Sequence, residues 1–415
     1  MSKTILIRHA KSVLQTRDMP KSPLRGAELA HLPFRENASL FIRNGIIERI
    51  LHANDPLPEA DIEIDATDRF VLPCWCDSHS HLVFARSREG EFVDRINGLS
   101  YEEIASRGGG ILNSARRLHD ATEDELYESA WLRLQEIINF GTGAIEIKSG
   151  YGLSTTDELK MLRTIRRLKD NSPIPIKATF LGAHAIPLAY KDNREGYVQL
   201  VIEEMLPLIA DEGLADYIDV FCENGFFTTR ETERILEAGA RYGLRPKIHV
   251  NQLSNSGGVQ VGISHNALSV DHLEQIGAEE IALIGNSDVI ATLLPSCSFF
   301  INIPFAPARA LIDANAAVAI ASDYNPGSTP SGKIPFLLSL ACIKLRMTPS
   351  EAINAVTING AHAMELQNTC GVIAEGRPAR LIITKPMRSP AYIPYAFGSD
   401  HIEKVVLEDE VREIH

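Results

Sequence analysis

The feature that most constrains the fold of this chain is a series of apolar segments of strand length, separated by segments with helical periodicity. Eight strands are expected, at roughly 70–75, 142–148, 175–182, 216–222, 246–250, 267–271, 289–294 and 317–322. Helices are expected between them, including 123–139, 156–169, 197–209, 229–242 and 278–284. Such a series predicts a closed parallel (β/α)8 barrel of the TIM type. An open doubly wound sheet is the alternative, but no Gly-x-Gly-x-x-Gly loop follows the first strand.

The two ends of the chain have a different character, because short strand candidates and turns replace the alternation. These candidates are 4–7, 38–42, 46–51, 381–384 and 402–407. Asn44-Gly45 is a strong signal for a two-residue hairpin turn. We therefore expect a small β-sandwich domain built from residues 1–68 and 366–415, beside a barrel domain spanning residues 69–365.

Composition restricts the compartment and the partners of this chain. A formal net charge of -13 argues against a nucleic-acid partner, which needs a basic face. The charged start does not resemble a signal peptide, and no apolar run is long enough to span a bilayer. The six cysteines are scattered, which suits a reducing cytoplasm. Cys74-Trp75-Cys76 could be a metal or redox motif, although such motifs usually have two intervening residues.

Ionisable residues follow several predicted strands, at the end of the barrel where active sites form. His79 and His81 are two positions apart at the end of strand one, so both imidazoles can face one point. His249 follows strand five and Asp323 follows strand eight. Three imidazoles and one carboxylate suit a single Zn or Fe ion, and are too rich in nitrogen for Ca or Mg.

Other interpretations of these residues exist. His249 could serve only as a hydrogen-bond partner, and Asp323 could cap the following helix. Two metals would need a bridging group, usually a carboxylated lysine on strand four, and strand four has no lysine. Lys148 lies on strand two and is expected to be structural. The coincidence of four ligand types at strand ends favours one metal ion.

A metal ion with an open coordination position makes water nucleophilic near neutral pH. Asp323 could accept the proton of that water. His272, after strand six, could orient the water or carry the proton to the leaving nitrogen. The alternative for His272 is a hydrogen-bonding role beside the metal ligands.

Several stretches are more specific than the His-x-His pair. They are 77–84, 108–111, 146–153, 180–184, 219–223, 271–274, 291–295 and 323–328. In these stretches, over nearly its whole length, the chain resembles the imidazolonepropionase family of the amidohydrolase superfamily. The resemblance implies a metal-dependent hydrolase that opens the ring of 4-imidazolone-5-propanoate to give N-formimidoyl-L-glutamate in histidine degradation. Barrels of this kind are often homodimers.

The resemblance also implies roles for individual residues. The metal ligands would be His79, His81, His249 and Asp323. The substrate-binding residues would be Arg88, Tyr151, His184, Gln252, Asn325, Gly327 and Ser328. A planar guanidinium grips a carboxylate with two hydrogen bonds, so Arg88 would hold the propionate. Without the resemblance, Arg88 next to Arg86 would be interpreted as a surface residue.

The residue at position 252 restricts which group can act as the general base, because family members carry either glutamate or glutamine there. This chain has Gln252, and an amide cannot act as a general base. The catalytic set is therefore expected to comprise Asp323 as proton acceptor, His272 as its electrostatic partner and Gln252 as a hydrogen-bonding group.

Two positions depart from the family pattern. Arg380 replaces an aspartate that is usual in the superfamily's closing motif, which threatens packing in the small domain more than chemistry. Ser80 replaces the usual threonine of the histidine pair, and its side chain is expected to point away from the metal.

Two rival functions remain from the sequence. A related hydrolase could deaminate a nucleobase or another nitrogen heterocycle, but Arg88 with Tyr151 favours a substrate that carries a carboxylate. A barrel without activity could act as a scaffold, but such relatives typically lose metal ligands, and all four are present here.

Overall fold

A computed structural model describes residues 3–99, 103 and 109–414 of the chain. Met1, Ser2 and His415 of the predicted terminal domain, and Gly108 of one motif stretch, lie outside the described residues. The strands are β1 (Thr4–Leu14), β2 (Phe34–Arg43), β3 (Ile46–Leu51), β4 (Ile62–Asp65), β5 (Phe70–Pro73), β6 (Trp75–Asp77), β7 (Thr142–Lys148), β8 (Ile176–Ala183), β9 (Tyr217–Cys222), β10 (Arg245–Val250), β11 (Ser269–His272), β12 (Ile290–Leu293), β13 (Ala317–Ile320), β14 (Arg380–Thr384), β15 (Ile402–Leu407) and β16 (Glu410–Glu413).

Strands β6 to β13 form the predicted barrel. Each strand pairs in parallel with the next in chain order. The two outer strands meet through their extensions, where Ser80 and Tyr324 form a parallel bridge. The amide of His81 donates to the Tyr324 carbonyl over 2.9 Å, and the amide of Asp323 donates to the His79 carbonyl over 2.9 Å. The seam that closes the barrel therefore carries three of the predicted metal ligands.

Helices connect or flank the barrel strands, except for the helix Tyr392–Tyr395, which lies between β14 and β15. Their bounds are Glu89–Ile96, Ile111–Asp120, Glu123–Asn139, Thr155–Asn171, Arg194–Leu200, Leu206–Asp211, Thr229–Ala240, Gly258–Ser264, Ala278–Gly285, Pro295–Ile301, Ala308–Asp313, Ile334–Ile343, Pro349–Asn354, Gly360–His362 and Tyr392–Tyr395. Short π segments at Val201–Met205 and Ala355–Asn359 continue helices, and 3-10 turns lie at Gly26–Ala30 and Leu188–Tyr190.

Local sequence explains where several helices begin. Thr122 accepts from the amide of Glu125 while the Glu125 carboxylate accepts from the amide of Thr122. This capping box satisfies amides that the first turn leaves unpaired. Thr228 and Glu231 make the same arrangement before Thr229–Ala240.

Both termini contribute to a second sheet, as predicted. Its strand order is β16-β15-β14-β5-β1-β2-β3, with β4 paired to β1. Asn44 and Gly45 join β2 to β3 with φ angles of +50° and +76°, the left-handed conformation that a tight hairpin turn requires. The prediction described this unit as a β-sandwich, and the structure shows its strands hydrogen-bonded in one sheet.

One strand prediction was wrong. Residues 70–75 were expected to form the first barrel strand, but Phe70–Pro73 pairs with β1 and β14 of the terminal sheet. Only Trp75–Asp77 pairs in the barrel, with β7. The chain passes from one sheet to the other at Cys74 without a loop, so hydrophobicity could not mark the change. The boundary at residue 69 stays a prediction.

Arg380 has partners that explain how the terminal sheet accommodates it. One guanidinium nitrogen lies 2.5 Å from Glu408 Oε1, and another donates to the Thr369 carbonyl over 3.2 Å. The arginine that departs from the family pattern is thus paired with a carboxylate.

Among the described residues, no helix is both long enough and apolar enough to cross a bilayer.

Candidate active site

Three histidines converge at the carboxyl end of the barrel. His79 and His81 follow β6, and His249 lies on β10. Ligand atoms of the three rings lie within 4.8 Å of one another, and all three side chains are buried. Asp323, after β13, places Oδ1 3.6 Å from His79 Nε2 and 3.7 Å from His81 Nε2. The structure therefore brings all four predicted ligands together.

Two aspartates orient two of these rings. His79 Nδ1 lies 2.6 Å from Asp271 Oδ2, and His249 Nδ1 lies 2.9 Å from Asp219 Oδ2. A carboxylate only accepts, so each ring carries its proton on Nδ1. The unprotonated Nε2 then has a lone pair that can bind a metal ion at the point where the three rings converge. His79 Nε2 is buried and has no hydrogen-bond partner among the described residues. An unpaired buried nitrogen beside a carboxylate and two imidazoles fits a metal ion.

The electrostatics also fit a metal centre, because ligand histidines must be neutral. Burial, followed by the charge of Lys148, lowers the pKa of His79 and of His249 well below the usual value. Burial also lowers the pKa of His81. Burial raises the pKa of Asp323 to about 6.

Below the histidines, the barrel interior holds a group of buried charges that the sequence interpretation missed. We call it the interior ion cluster, and its members are Glu146, Lys148, Asp219, Lys247 and Asp271. Charged residues within otherwise apolar strands were the signal that could have found it, since inward-facing positions alternate along a strand. Their partners depend on barrel closure, which the sequence does not give.

Lys148 is the centre of this cluster and is structural, as expected. Its Nζ lies 2.6 Å from Glu146 Oε1, 2.9 Å from Asp219 Oδ2 and 3.6 Å from Asp271 Oδ2. Burial alone lowers the pKa of Lys148, but these carboxylates, Asp219 first, outweigh burial and raise it. Lys148 is therefore a fixed cation within the barrel.

Arg88 is largely buried and is not a surface residue. Its side chain is 11% exposed, whereas neighbouring Arg86 is exposed. Arg88 Nε and Nη1 are buried without hydrogen-bond partners among the described residues, and Nε lies 3.7 Å from Glu91 Oε2. A Cβ built at Gly327 would lie 1.1 Å from Arg88 Nη2, so only glycine leaves room for this guanidinium.

Tyr151 and His184 lie beside the histidine centre. The rings of His184 and His81 are stacked, with centroids 5.3 Å apart, and the Tyr151 ring lies 5.8 Å from that of His81. His184 Nδ1 donates to the Gly150 carbonyl over 2.9 Å, which leaves its Nε2 for another partner. Burial, with a smaller contribution from the charge of Arg88, lowers the pKa of His184 to about 4, although the Gly150 hydrogen bond and Asp219 act in the opposite direction.

The loop after β13 is held by its own side chains. Asn325 Oδ1 accepts from the amides of Gly327 and Ser328, each over 2.8 Å. Asn325 Nδ2 donates to the Asp323 carbonyl and to Ser328 Oγ, each over 2.7 Å. The Asn325 amide is fully used within the loop, which favours a positioning role over direct substrate contact. Ser328 Oγ donates to Asp323 Oδ2 over 3.2 Å.

His272 and Gln252 share a neighbour that the sequence interpretation overlooked. Cys297 Sγ lies 3.3 Å from Gln252 Nε2. The same sulfur lies within 4.8 Å of a ring nitrogen of His272 and of a carboxylate oxygen of Glu274. Burial alone lowers the pKa of His272, but the Glu274 carboxylate and Cys297 outweigh burial and raise it. Burial raises the pKa of Cys297 to about 11, so the group beside Gln252 is a thiol.

Comparison with known proteins assigns this constellation to a class. The model of the amidohydrolase family matches residues 70–411. The chain therefore belongs to the amidohydrolase family.

Similar proteins of known name narrow the class. Imidazolonepropionase of Flavobacterium johnsoniae is 54% identical over 408 residues, covering 98% of this chain and 99% of that protein. Imidazolonepropionase of Brevibacillus brevis is 40% identical over 415 residues, covering 98% of this chain and 97% of that protein. Among solved structures, 5-methylcytosine deaminase from Klebsiella pneumoniae has a TM-score of 0.73 at 18% identity, covering 97% of this chain and 98% of that chain. An identity this low supports the fold alone.

Proposed function

We propose that this chain hydrolyses 4-imidazolone-5-propanoate to N-formimidoyl-L-glutamate, the ring-opening step of histidine degradation. Full-length relatives of this name at 40–54% identity support the proposal. The observation that carries it within the structure is the Arg88 guanidinium, which lies against Gly327 in the loop that follows Asp323. Its buried Nε and Nη1 have no hydrogen-bond partner among the described residues, and the ion pair of Nε with Glu91 Oε2 is 3.7 Å long. A buried guanidinium with free N–H groups can donate two hydrogen bonds to the carboxylate of a small heterocyclic substrate.

The metal would be one divalent ion, Zn or Fe, held by His79, His81, His249 and Asp323. When bound, such an ion supplies the Lewis acidity that makes water nucleophilic near neutral pH. The interior ion cluster argues for a single ion, because Lys148 is committed to three carboxylates and strand β9 carries no lysine.

The protein's own groups would divide the remaining work. Arg88 would hold the propionate, while Tyr151 and His184 would contact the ring and its oxygen. Asp323 would accept the proton of the attacking water, because Gln252 carries an amide that cannot act as a base. His272, close to Cys297 and Glu274, would act as the electrostatic partner of Asp323 and donate toward the leaving nitrogen. Gln252 would orient water or substrate through hydrogen bonds.

A direct assay tests this proposal against its nearest rival. Purified protein is incubated with fresh 4-imidazolone-5-propanoate, loss of the ring's ultraviolet absorbance is followed, and bound metal is measured in parallel. Ammonia release from guanine, cytosine and adenine is measured with the same preparation. Ring opening without deamination is expected; deamination alone would contradict the proposal, and loss of both activities in metal-replete protein would favour a scaffold.

The compartment and the assembly belong to the same proposal. All six cysteines are free of disulfide bonds, which supports a reducing cytoplasm. A homodimer stays a prediction, and light scattering of the eluted protein during gel filtration checks it.

A further inference from the structure

The interior ion cluster contains two buried lysines with different partners. Lys148 Nζ contacts Asp219 Oδ2 and Asp271 Oδ2. These are the same two oxygen atoms that accept from Nδ1 of His249 and of His79. One ammonium therefore touches both carboxylates that orient ligand histidines.

Lys247 is equally buried but makes other contacts. Its Nζ pairs with Glu146 Oε2 and donates to the carbonyls of Ser78 and Ala363, over 2.9 Å and 3.1 Å. Neither Asp219 nor Asp271 is among its partners in the part of the chain that the structure describes. The two lysines thus share residue type and burial, and they differ in whether they contact the carboxylates that orient the histidine rings.

Physical chemistry gives the consequence of this difference. Without the Lys148 ammonium, the carboxylates of Asp219 and Asp271 lose the cation that both of them contact, and their like charges repel one another in a low-dielectric interior. Movement of these carboxylates would disturb the hydrogen bonds that hold the His79 and His249 rings. Hydrogen-bond partners of ligand histidines typically influence metal affinity by about 10–100-fold.

We propose that Lys148 is a positioning residue for the metal centre, fixing Asp219 and Asp271 so that they hold His249 and His79 in their ligand orientation. This inference rests on the proposed metal-dependent function. It predicts an effect on metal binding itself, in addition to any effect on turnover.

The test compares metal affinity among variants of the full chain. Metal-free wild type, Lys148→Met, Lys247→Met and Lys148→Met/Glu146→Gln are titrated with Zn²⁺ and, anaerobically, Fe²⁺ against a competing chelator. Thermal unfolding of each metal-free protein is recorded. The double variant removes one cation and one carboxylate together, so its cluster keeps the overall charge of the wild type.

We expect the metal dissociation constant to rise about 10–100-fold in both Lys148 variants and less than about tenfold in Lys247→Met. Equal effects of the two single lysine variants, or wild-type affinity in the double variant, would overturn the proposal. If neither Lys148 variant folds without metal while Lys247→Met does, Lys148 is a general folding requirement and the proposal is wrong. Wild-type protein that binds neither metal would instead contradict the proposed function.

Discussion

The interior of the barrel and the apolar core of the terminal sheet are both buried, yet they contain opposite kinds of side chain. The terminal sheet buries aliphatic side chains such as Ile5, Ile7, Leu40 and Ile383. In the described parts of strands β1–β5 and β14–β16, the buried residues include none with a carboxylate, ammonium or guanidinium group. The barrel strands β6–β13 bury six such groups, which are Asp77 and the five members of the interior ion cluster.

The difference separates two tasks. Aliphatic burial stabilises a fold at about 25 cal/mol per Å² and makes no demand for a particular partner. A buried ion pair contributes little net stability, because desolvation offsets attraction, so its value lies in holding groups in fixed positions. In this chain the fixed groups are the carboxylates of Asp219 and Asp271, which hold His249 and His79. Substitutions in the two interiors should therefore have separable effects.

The largest expected effect on activity is at the barrel rim. Asp323→Asn, assayed in metal-replete protein, should lower kcat by about 10²–10⁴-fold, because the variant removes the proposed proton acceptor. Gln252→Ala is the matched comparison, and it should retain much more activity since an amide only orients. Equal losses in the two variants, with metal content verified, would show that the roles are assigned wrongly.

The next effect concerns substrate binding. Arg88→Met should lower kcat/KM for 4-imidazolone-5-propanoate by about 10²-fold, mainly through KM, because a buried carboxylate loses its cation. Arg86→Met changes an exposed arginine two positions away and serves as the control. Steady-state kinetics on both variants checks this prediction, and comparable losses would remove Arg88 from the substrate site.

A smaller effect is expected from Gly327→Ala. The new methyl group would lie 1.1 Å from Arg88 Nη2, so the guanidinium must move. We expect KM to rise by at least about tenfold, since displaced positioning groups weaken productive binding. Gly398→Ala is the control, because a Cβ there meets nothing within 4 Å. An unchanged KM, with Arg88→Met impaired, would mean that the guanidinium tolerates displacement.

The smallest effect on activity should come from the terminal sheet. Ile7→Ala removes a fully buried side chain and should lower the free energy of unfolding by about 2–5 kcal/mol. At a temperature where the variant is folded, its kcat/KM and metal affinity should match those of the wild type. Denaturant unfolding and metal titration check both parts, and a weakened metal site would break the proposed separation of the two interiors.

Much of the barrel could be predicted because its signals are local. The helix Glu123–Asn139 has the predicted bounds, since a capping box marks its start and its apolar periodicity is regular. Strands β7 to β13 lie within two residues of their predicted positions. The segment 70–75 failed because sequence gives strand character but not which sheet a strand joins.

Those features of the site could be predicted that follow from the chemistry of one residue type or from its spacing in the sequence. His79 and His81 could be paired from their spacing, and Gln252 could be excluded as a base from its amide. The contact between Lys148 and Asp219 joins residues 71 positions apart, and only closure of the barrel sets that distance. The placement of Gly327 against Arg88 likewise depends on how two loops meet, for which the sequence carries no local signal.

We propose that one metal ion in this barrel supports hydrolysis of an anionic imidazolone. The most direct measurement is stepwise addition of Zn²⁺ or Fe²⁺ to metal-free protein, with bound metal and loss of 4-imidazolone-5-propanoate absorbance recorded at each step. We expect activity to rise in proportion to bound metal and to reach its plateau at one ion per chain. Full activity in metal-free protein, or a plateau reached only at two ions per chain, would show that the single-metal mechanism is wrong.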